Sequence, residues 1–139
     1  MKYKKVVEWV LRIAVAGEFL GHGVFAILGK PQWIAWTQEL LGVGTETATT
    51  LMSLVGFADL VIAVLVLVWP ISIVLLWAVF WGFFTALLRP MMGDPIWDFV
   101  ERWANWGAPL ALLIVNGVPR HWWQWLEVGN GKKKDLGKA

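Results

Sequence analysis

The long apolar stretches of this chain limit its fold more than any other feature of the sequence. Four stretches of about 20 mainly apolar residues, the length needed to cross the hydrocarbon core of a bilayer as a helix, follow one another along the chain with short connections. We place them at about 9–28, 48–69, 70–88 and 97–118. Because backbone polar groups in lipid must be satisfied internally, stretches of this kind form helices. The sequence therefore predicts an all-α membrane protein, an antiparallel bundle of four transmembrane helices.

Composition agrees with a membrane protein of one domain. Only 16 % of the 139 residues are charged, against about 25 % in soluble domains. We expect a single four-helix transmembrane domain over 1–128 and a disordered basic cytoplasmic tail over 129–139. Residues 32–41 are too few to span the bilayer but carry several large apolar side chains, which predicts a short amphipathic helix at the interface between spans one and two.

The orientation follows from the lysines. They concentrate at both ends of the chain, at Lys2, Lys4, Lys5, Lys132, Lys133, Lys134 and Lys138. The positive-inside rule then places both termini in the cytoplasm, which requires an even number of spans. We expect an integral protein of the bacterial inner membrane, with the lipid bilayer as its surroundings and no nucleic acid partner. A cleaved signal peptide is the competing interpretation of the start, but charged residues interrupt its apolar region and we expect the first span to be retained.

Three ionisable residues lie inside spans that are otherwise apolar: Glu18, His22 and Asp59. A charged side chain at the bilayer centre costs ~2.5–3.5 kcal/mol, so such residues usually face a bundle interior and often mark a functional site. At ~1.5 Å per residue, both carboxyl groups lie near the midplane. The alternative is that these groups only lock the helices together.

Further polar and aromatic residues extend this cluster toward the outer half of the membrane. Helical spacing puts Trp77, Trp81, Thr85 and Arg89 on one stripe of span three, and Glu101 and Asn105 on one face of span four. The candidate ligand-binding residues are therefore Glu18, His22, Asp59, Trp77, Trp81, Arg89, Glu101 and Asn105. Other roles remain open: His22 as a haem or metal ligand, Glu101 and Arg102 as an ordinary interfacial pair, and the two tryptophans as packing or lipid-facing residues.

Two expectations concern the first span. Gly17 and Gly21 form a small-xxx-small pair, which predicts close approach of another helix. Arg12 lies only ~4–5 Å below Trp9 along the helix axis, so we expect its guanidinium to extend to the cytoplasmic interface.

The chain has no cysteine, which excludes disulfides, thiol nucleophiles and thiolate metal ligands from this chain alone. It also carries no recognisable catalytic, phosphate-binding or haem-attachment motif. We therefore expect no intrinsic cofactor, no metal site and no turnover by the chain itself.

Three short motifs carry a resemblance to a known family. They are the glycine-rich segment 17–23 (GEFLGHG) with Gly29 and Lys30, the segment 56–60 (GFADL), and the segment 101–107 (ERWANWG). Together with the arginine early in span one, they make the chain similar to the DoxX family of small four-helix bacterial membrane proteins, in the grouping that includes DoxD and MauE. The resemblance implies association with membrane redox systems, among them quinone-linked sulfur oxidation and the maturation of a periplasmic dehydrogenase. One departure is Asp59, where many relatives are expected to carry a glutamate.

These observations leave three hypotheses of function. The first is an accessory membrane subunit of a redox system that borders a quinone site or anchors a membrane or periplasmic partner enzyme. The second is a non-enzymatic binder or carrier of a small molecule with a polar pocket in the outer half of the membrane. The third is a purely structural subunit of a larger complex, including a homo-oligomer.

Overall fold

The computed structural model of the protein describes residues 3–129, and every regular element within that range is helical. The elements are α1 (Lys4–Ile27), α2 (Pro31–Leu41), α3 (Thr45–Val68), α4 (Ser72–Met91), α5 (Ile96–Val100), α6 (Trp103–Asn116) and a 3-10 turn (Trp122–Leu126). The short helix predicted between spans one and two is present as α2. The predicted basic tail lies outside the described residues except for Gly129.

Three of these helices are long and apolar enough to cross a membrane, namely α1, α3 and α4 with 24, 24 and 20 residues. The chain is accordingly a helical membrane protein. The fourth predicted stretch is divided into α5 and α6, because the helix is interrupted at Glu101 and Arg102, where the Arg102 guanidinium donates to the carbonyl of Asp98. The 14 residues of α6 give a helix of ~21 Å, shorter than the hydrocarbon core of ~30 Å.

The antiparallel helices α1 and α3 cross where two glycines face each other. A Cβ atom on Gly23 would lie 2.8 Å from the carbonyl oxygen of Gly56, and one on Gly56 would lie 2.7 Å from the carbonyl oxygen of Gly23. The prediction of close approach at Gly17 and Gly21 was wrong, since no described atom of another helix lies within 4 Å of a Cβ position at either residue. Both belong to a face of α1 on which no other helix of the described chain packs closely.

A second close crossing joins α4 to α6. A Cβ atom on Gly82 would lie 2.5 Å from the carbonyl oxygen of Asn105. Pro109 has no N–H, so this carbonyl lacks its usual partner within the helix. The missing side chain of Gly82 lets α4 approach the carbonyl that Pro109 leaves free.

The glycine crossings divide the bundle into two halves. One hydrophobic core cluster lies in the half that contains the N-terminus of α1 and the C-terminus of α3, and its buried members are Val15, Phe19, Ile62, Ala63, Val66, Leu75, Ala78, Leu112 and Leu113. We call it the packed half. The other half, which contains α2 and the C-terminus of α4, encloses a pocket, and we call it the open half.

Arg12 belongs to the packed half and does not extend to the interface as expected. It is only 9 % exposed, and its Nε and Nη2 atoms donate to the carbonyl oxygens of Val66 and Val68 at 3.3 and 3.0 Å. Glu8 lies 3.5 Å from the same guanidinium. The last carbonyls of a helix have no partner within the helix, and Pro70 prevents α3 from continuing. Burial of the Arg12 side chain is favoured here because its guanidinium donates hydrogen bonds to two of the last carbonyl groups of α3.

Candidate functional site

A pocket of about 420 Å³ lies in the open half, between α3 and α4 and beneath α2. Its volume falls in the range of ~300–1,000 Å³ that is typical of small-molecule sites. Most of its wall is apolar and comes from α3 and α4, as with Met52, Val55, Phe84 and Leu88. The two helices touch only sparsely along their length, because α3 packs chiefly on α1 and α4 on α6. The divergence of α3 from α4 leaves the space that forms the pocket.

The pocket brings together five of the eight predicted site residues. They come from four helices, and they are His22, Asp59, Trp81, Arg89 and Asn105. The i+4 stripe predicted on α4 accounts for Trp81, Thr85 and Arg89, which follow one another along the wall. Thr85 donates its hydroxyl to the carbonyl of Trp81 at 2.9 Å, so its oxygen is engaged with the helix itself.

The other three predicted residues do not line the pocket. Glu18 is half-buried on α1, within electrostatic range of Asp59 and Arg102. Trp77 is 46 % exposed in a shallow outer groove with Phe80 and stacks on Trp81 at 5.7 Å. Glu101 is exposed and forms an ion pair with Arg102.

At the deep end of the pocket, Asp59 is paired with Trp81. The Asp59 side chain is 4 % exposed, and its carboxyl accepts a hydrogen bond from the indole N–H of Trp81. A tryptophan indole has a single donor, which this contact uses. The deep end therefore presents an acceptor and a flat aromatic surface.

The other polar end of the pocket is built around Arg89. Eight residues separate it from Trp81, or ~12 Å along the helix axis. Arg89 is 8 % exposed, and its guanidinium carbon lies 5.7 Å from the ring centre of Trp36. Its Nε has no hydrogen-bond partner in the part of the chain that the structure describes. Arg102 and His22 both lie within electrostatic range of this guanidinium, and they lie within electrostatic range of each other.

The helix α2 covers this polar end. Trp33 meets the imidazole of His22 edge to face at 5.5 Å, and Trp36 lies against Arg89. Glycines with positive φ flank the helix, Gly29 at 71° and Gly42 at 64°, so the chain turns sharply on both sides of α2. The interfacial helix predicted from the sequence thus supplies part of the pocket, a role its amphipathic pattern does not reveal.

The pocket has an apolar mouth. Leu40 and Leu41 at the end of α2, and Leu54 on α3, line it and remain 47, 56 and 62 % exposed. Exposed leucines on a membrane helix contact acyl chains more favourably than water. The opening of the pocket is therefore apolar, while Asp59 and Arg89 are buried inside it.

Arg102 lines the pocket, although the sequence indicated for it only an interfacial pair with Glu101. A continuous fourth helix would place Glu101 and Asn105 on one face. The interruption between α5 and α6 instead directs Arg102 into the pocket beside Asn105 and leaves Glu101 outside. A break of this kind has no clear sequence signal here, since the interruption contains neither proline nor glycine.

The described residues contain no group of three His, Asp or Glu side chains arranged to hold a metal ion. What the pocket offers is hydrogen bonding, positive charge and aromatic surface.

Comparison of the chain with known protein families, with curated proteins and with solved structures finds no match.

Proposed function

We propose that this chain is an integral membrane protein that binds a small amphiphilic molecule in the pocket of its open half and does not transform it. The observation that carries the proposal is the buried Arg89, which lines a largely apolar pocket with exposed leucines at its mouth. Such a pocket suits a ligand with an apolar body and a hydrogen-bonding end, because a few convergent polar groups fix orientation while apolar walls supply affinity.

The contrast with a purely structural role supports this choice. A polar cluster that only fixes helix register would satisfy its members by mutual contacts, as Arg12 does in the packed half. The Nε of Arg89 is left without a partner among residues 3–129, and a buried unsatisfied group in a native protein calls for an explanation. A bound ligand supplies one.

A second candidate is an accessory subunit of a redox system that binds a quinone. The flat face of Trp81, stacked on Trp77 and lying in the pocket wall, suits a ring-shaped apolar ligand. The resemblance of three short segments to the DoxX family favours the same setting, with a membrane or periplasmic redox enzyme as partner. In this version the donors near Arg89 and Asn105 bind a quinone oxygen.

A bound ligand can be tested directly. The full chain, isolated from native membranes in a mild detergent, should retain a small molecule in native mass spectrometry. Added amphiphiles or quinone analogues should raise its unfolding temperature by an amount that grows with ligand concentration. Trp81→Leu should weaken this protection, whereas the matched change Trp77→Leu, outside the pocket, should leave it intact. A chain that carries no ligand and is protected by neither class would contradict the proposal.

We further propose four membrane crossings with both termini in the cytoplasm of a bacterial cell. The segment after Arg102 supports the fourth crossing: Asn105 contacts Gly82 near the middle of α4, and the carbonyl of Glu127 accepts from the N–H of Ser72 at its start. The chain therefore passes along α4 toward its opposite end. In this topology the pocket lies in the outer, periplasmic half of the membrane.

Single cysteines test the topology cleanly because the chain has none of its own. A membrane-impermeant thiol reagent added to intact cells should label Gly44→Cys and spare Gly131→Cys. The reverse pattern would mean that the orientation is inverted. Equal labelling of both would mean an odd number of crossings.

A further inference from the structure

We infer that the ligand of this pocket carries an acidic oxygen group, a carboxylate or a phosphate, which binds between Arg89 and Arg102 while its apolar chain leaves through the leucine-lined mouth. This inference rests on the proposed function and assigns the chemical class of the ligand.

The first support is the burial of Arg89 with its Nε unpartnered and with no ion pair among residues 3–129. A guanidinium stays charged in proteins, so burial cannot be relieved by loss of a proton. An uncompensated charge in a low-dielectric interior costs several kcal/mol, and a bound anion removes much of that cost. Arg89 forms no ion pair with a carboxylate of the described chain.

The nearby acids do not fill this role. Asp94, Asp98 and Glu101 lie within electrostatic range of Arg89, but none reaches ion-pair distance in the described structure. Glu101 is paired with Arg102, and Asp59 at the deep end accepts from Trp81. The oxygen that would bind the Arg89 guanidinium must therefore come from outside residues 3–129.

The second support is a like-charged neighbour. Arg102 lines the same pocket and repels Arg89 electrostatically. Two cations in a site of low dielectric are unfavourable unless an anion lies between them. Planar guanidinium groups bind carboxylate and phosphate oxygens with paired hydrogen bonds, so the two arginines suit both acids.

The shape of the pocket sets the orientation of the ligand. Arg89 is buried at the polar end, with Arg102 and Asn105 partly buried beside it, whereas Leu40, Leu41 and Leu54 are exposed at the mouth. An amphiphile thus enters from the bilayer with its acidic group leading and leaves its acyl chain in contact with lipid. A fatty acid and an anionic phospholipid share this chemistry.

The test uses the full chain in nanodiscs of phosphatidylcholine and two photoreactive probes, palmitate and the alcohol with the same chain. The acid should reach half-maximal labelling at a concentration about tenfold lower than the alcohol, the ratio expected when one charge-assisted hydrogen bond is lost. Arg89→Gln should abolish this preference. Arg120→Gln removes a cation from an exposed position at the other end of the bundle and should retain it.

The outcomes separate the inference from the function beneath it. Equal labelling of the wild-type chain by acid and alcohol overturns the inference of an acidic ligand but leaves the proposed binding pocket. Competition by a neutral quinone analogue that is as strong as competition by palmitate leads to the same conclusion. No saturable labelling by either probe overturns the proposed function as well. Competition by phosphatidylglycerol at lower concentrations than by free palmitate supports the inference with a membrane lipid as the source. The opposite order supports it with a free fatty acid. The wild-type comparison decides even if Arg89→Gln fails to fold.

Discussion

The packed half and the open half of the bundle each bury one arginine, and they treat it in opposite ways. Arg12 and Arg89 are 9 and 8 % exposed, so burial does not distinguish them. Arg12 donates to two carbonyl oxygens of α3 and lies beside Glu8, whereas the Nε of Arg89 has no partner within residues 3–129. A buried charge marks a binding site only where the protein's own groups leave it unsatisfied.

The largest expected effect tests this difference directly. Arg12→Met should lower the free energy of unfolding by about 3 kcal/mol, because it strands two carbonyls at the C-terminus of α3. Arg89→Met should change it by less than about 1 kcal/mol or stabilise the ligand-free protein, since it removes an uncompensated charge. Reversible unfolding in mixed micelles measures both. Equal losses for the two variants would remove the distinction between the halves.

The glycines on α1 give the next contrast. Gly23→Ala should cost about 2 kcal/mol, because its new methyl group would lie 2.8 Å from the carbonyl oxygen of Gly56 and must push α3 away. Gly21 lies on the face of α1 where no other described helix packs closely, so the new methyl group of Gly21→Ala would meet no described atom of another helix within 4 Å. It should gain up to about 1 kcal/mol from the higher helix propensity of alanine. A similar loss for both would indicate that a helix packs against Gly21 as well.

Asp59 allows the same comparison within the pocket, because unlike the Nε of Arg89 its carboxyl has a hydrogen-bond partner, the indole of Trp81. Asp59→Ala should cost about 1 kcal/mol because the indole N–H of Trp81 loses its acceptor. Asp59→Asn keeps an acceptor oxygen and should stay within about 0.5 kcal/mol of the wild type. If the asparagine variant is as unstable as the alanine variant, then the carboxylate charge, and not the hydrogen bond, is what the fold requires.

The smallest effect is expected outside the pocket. Glu101 pairs with Arg102 at an exposed position, where an ion pair contributes little. Glu101→Gln should therefore shift the free energy of unfolding by less than about 0.5 kcal/mol and leave ligand protection unchanged. Loss of that protection in this variant would place Glu101 in the site after all, as the helical spacing of 101 and 105 predicts.

Much of the candidate site could be predicted from individual helices. The i+4 spacing of Trp81, Thr85 and Arg89 placed them on one face of α4, and all three line the pocket. The same rule failed for Glu101, because α5 and α6 are separate helices, and for Trp77, because the pocket ends one turn short of it. Spacing determines the face of a helix but not how far a neighbouring helix extends along it.

The sequence by itself determined that this is a helical membrane protein, since long apolar stretches can satisfy their backbone in lipid only as helices. It also determined which spans carry ionisable residues. Only the tertiary structure decided which of those residues have hydrogen-bond or ion-pair partners within the protein. The close contacts at Gly23, Gly56 and Gly82 draw α1 to α3 and α4 to α6, so α3 and α4 diverge and the cavity forms between them. The Nε of Arg89, at that gap, lacks a partner within residues 3–129 for a reason that no single helix contains.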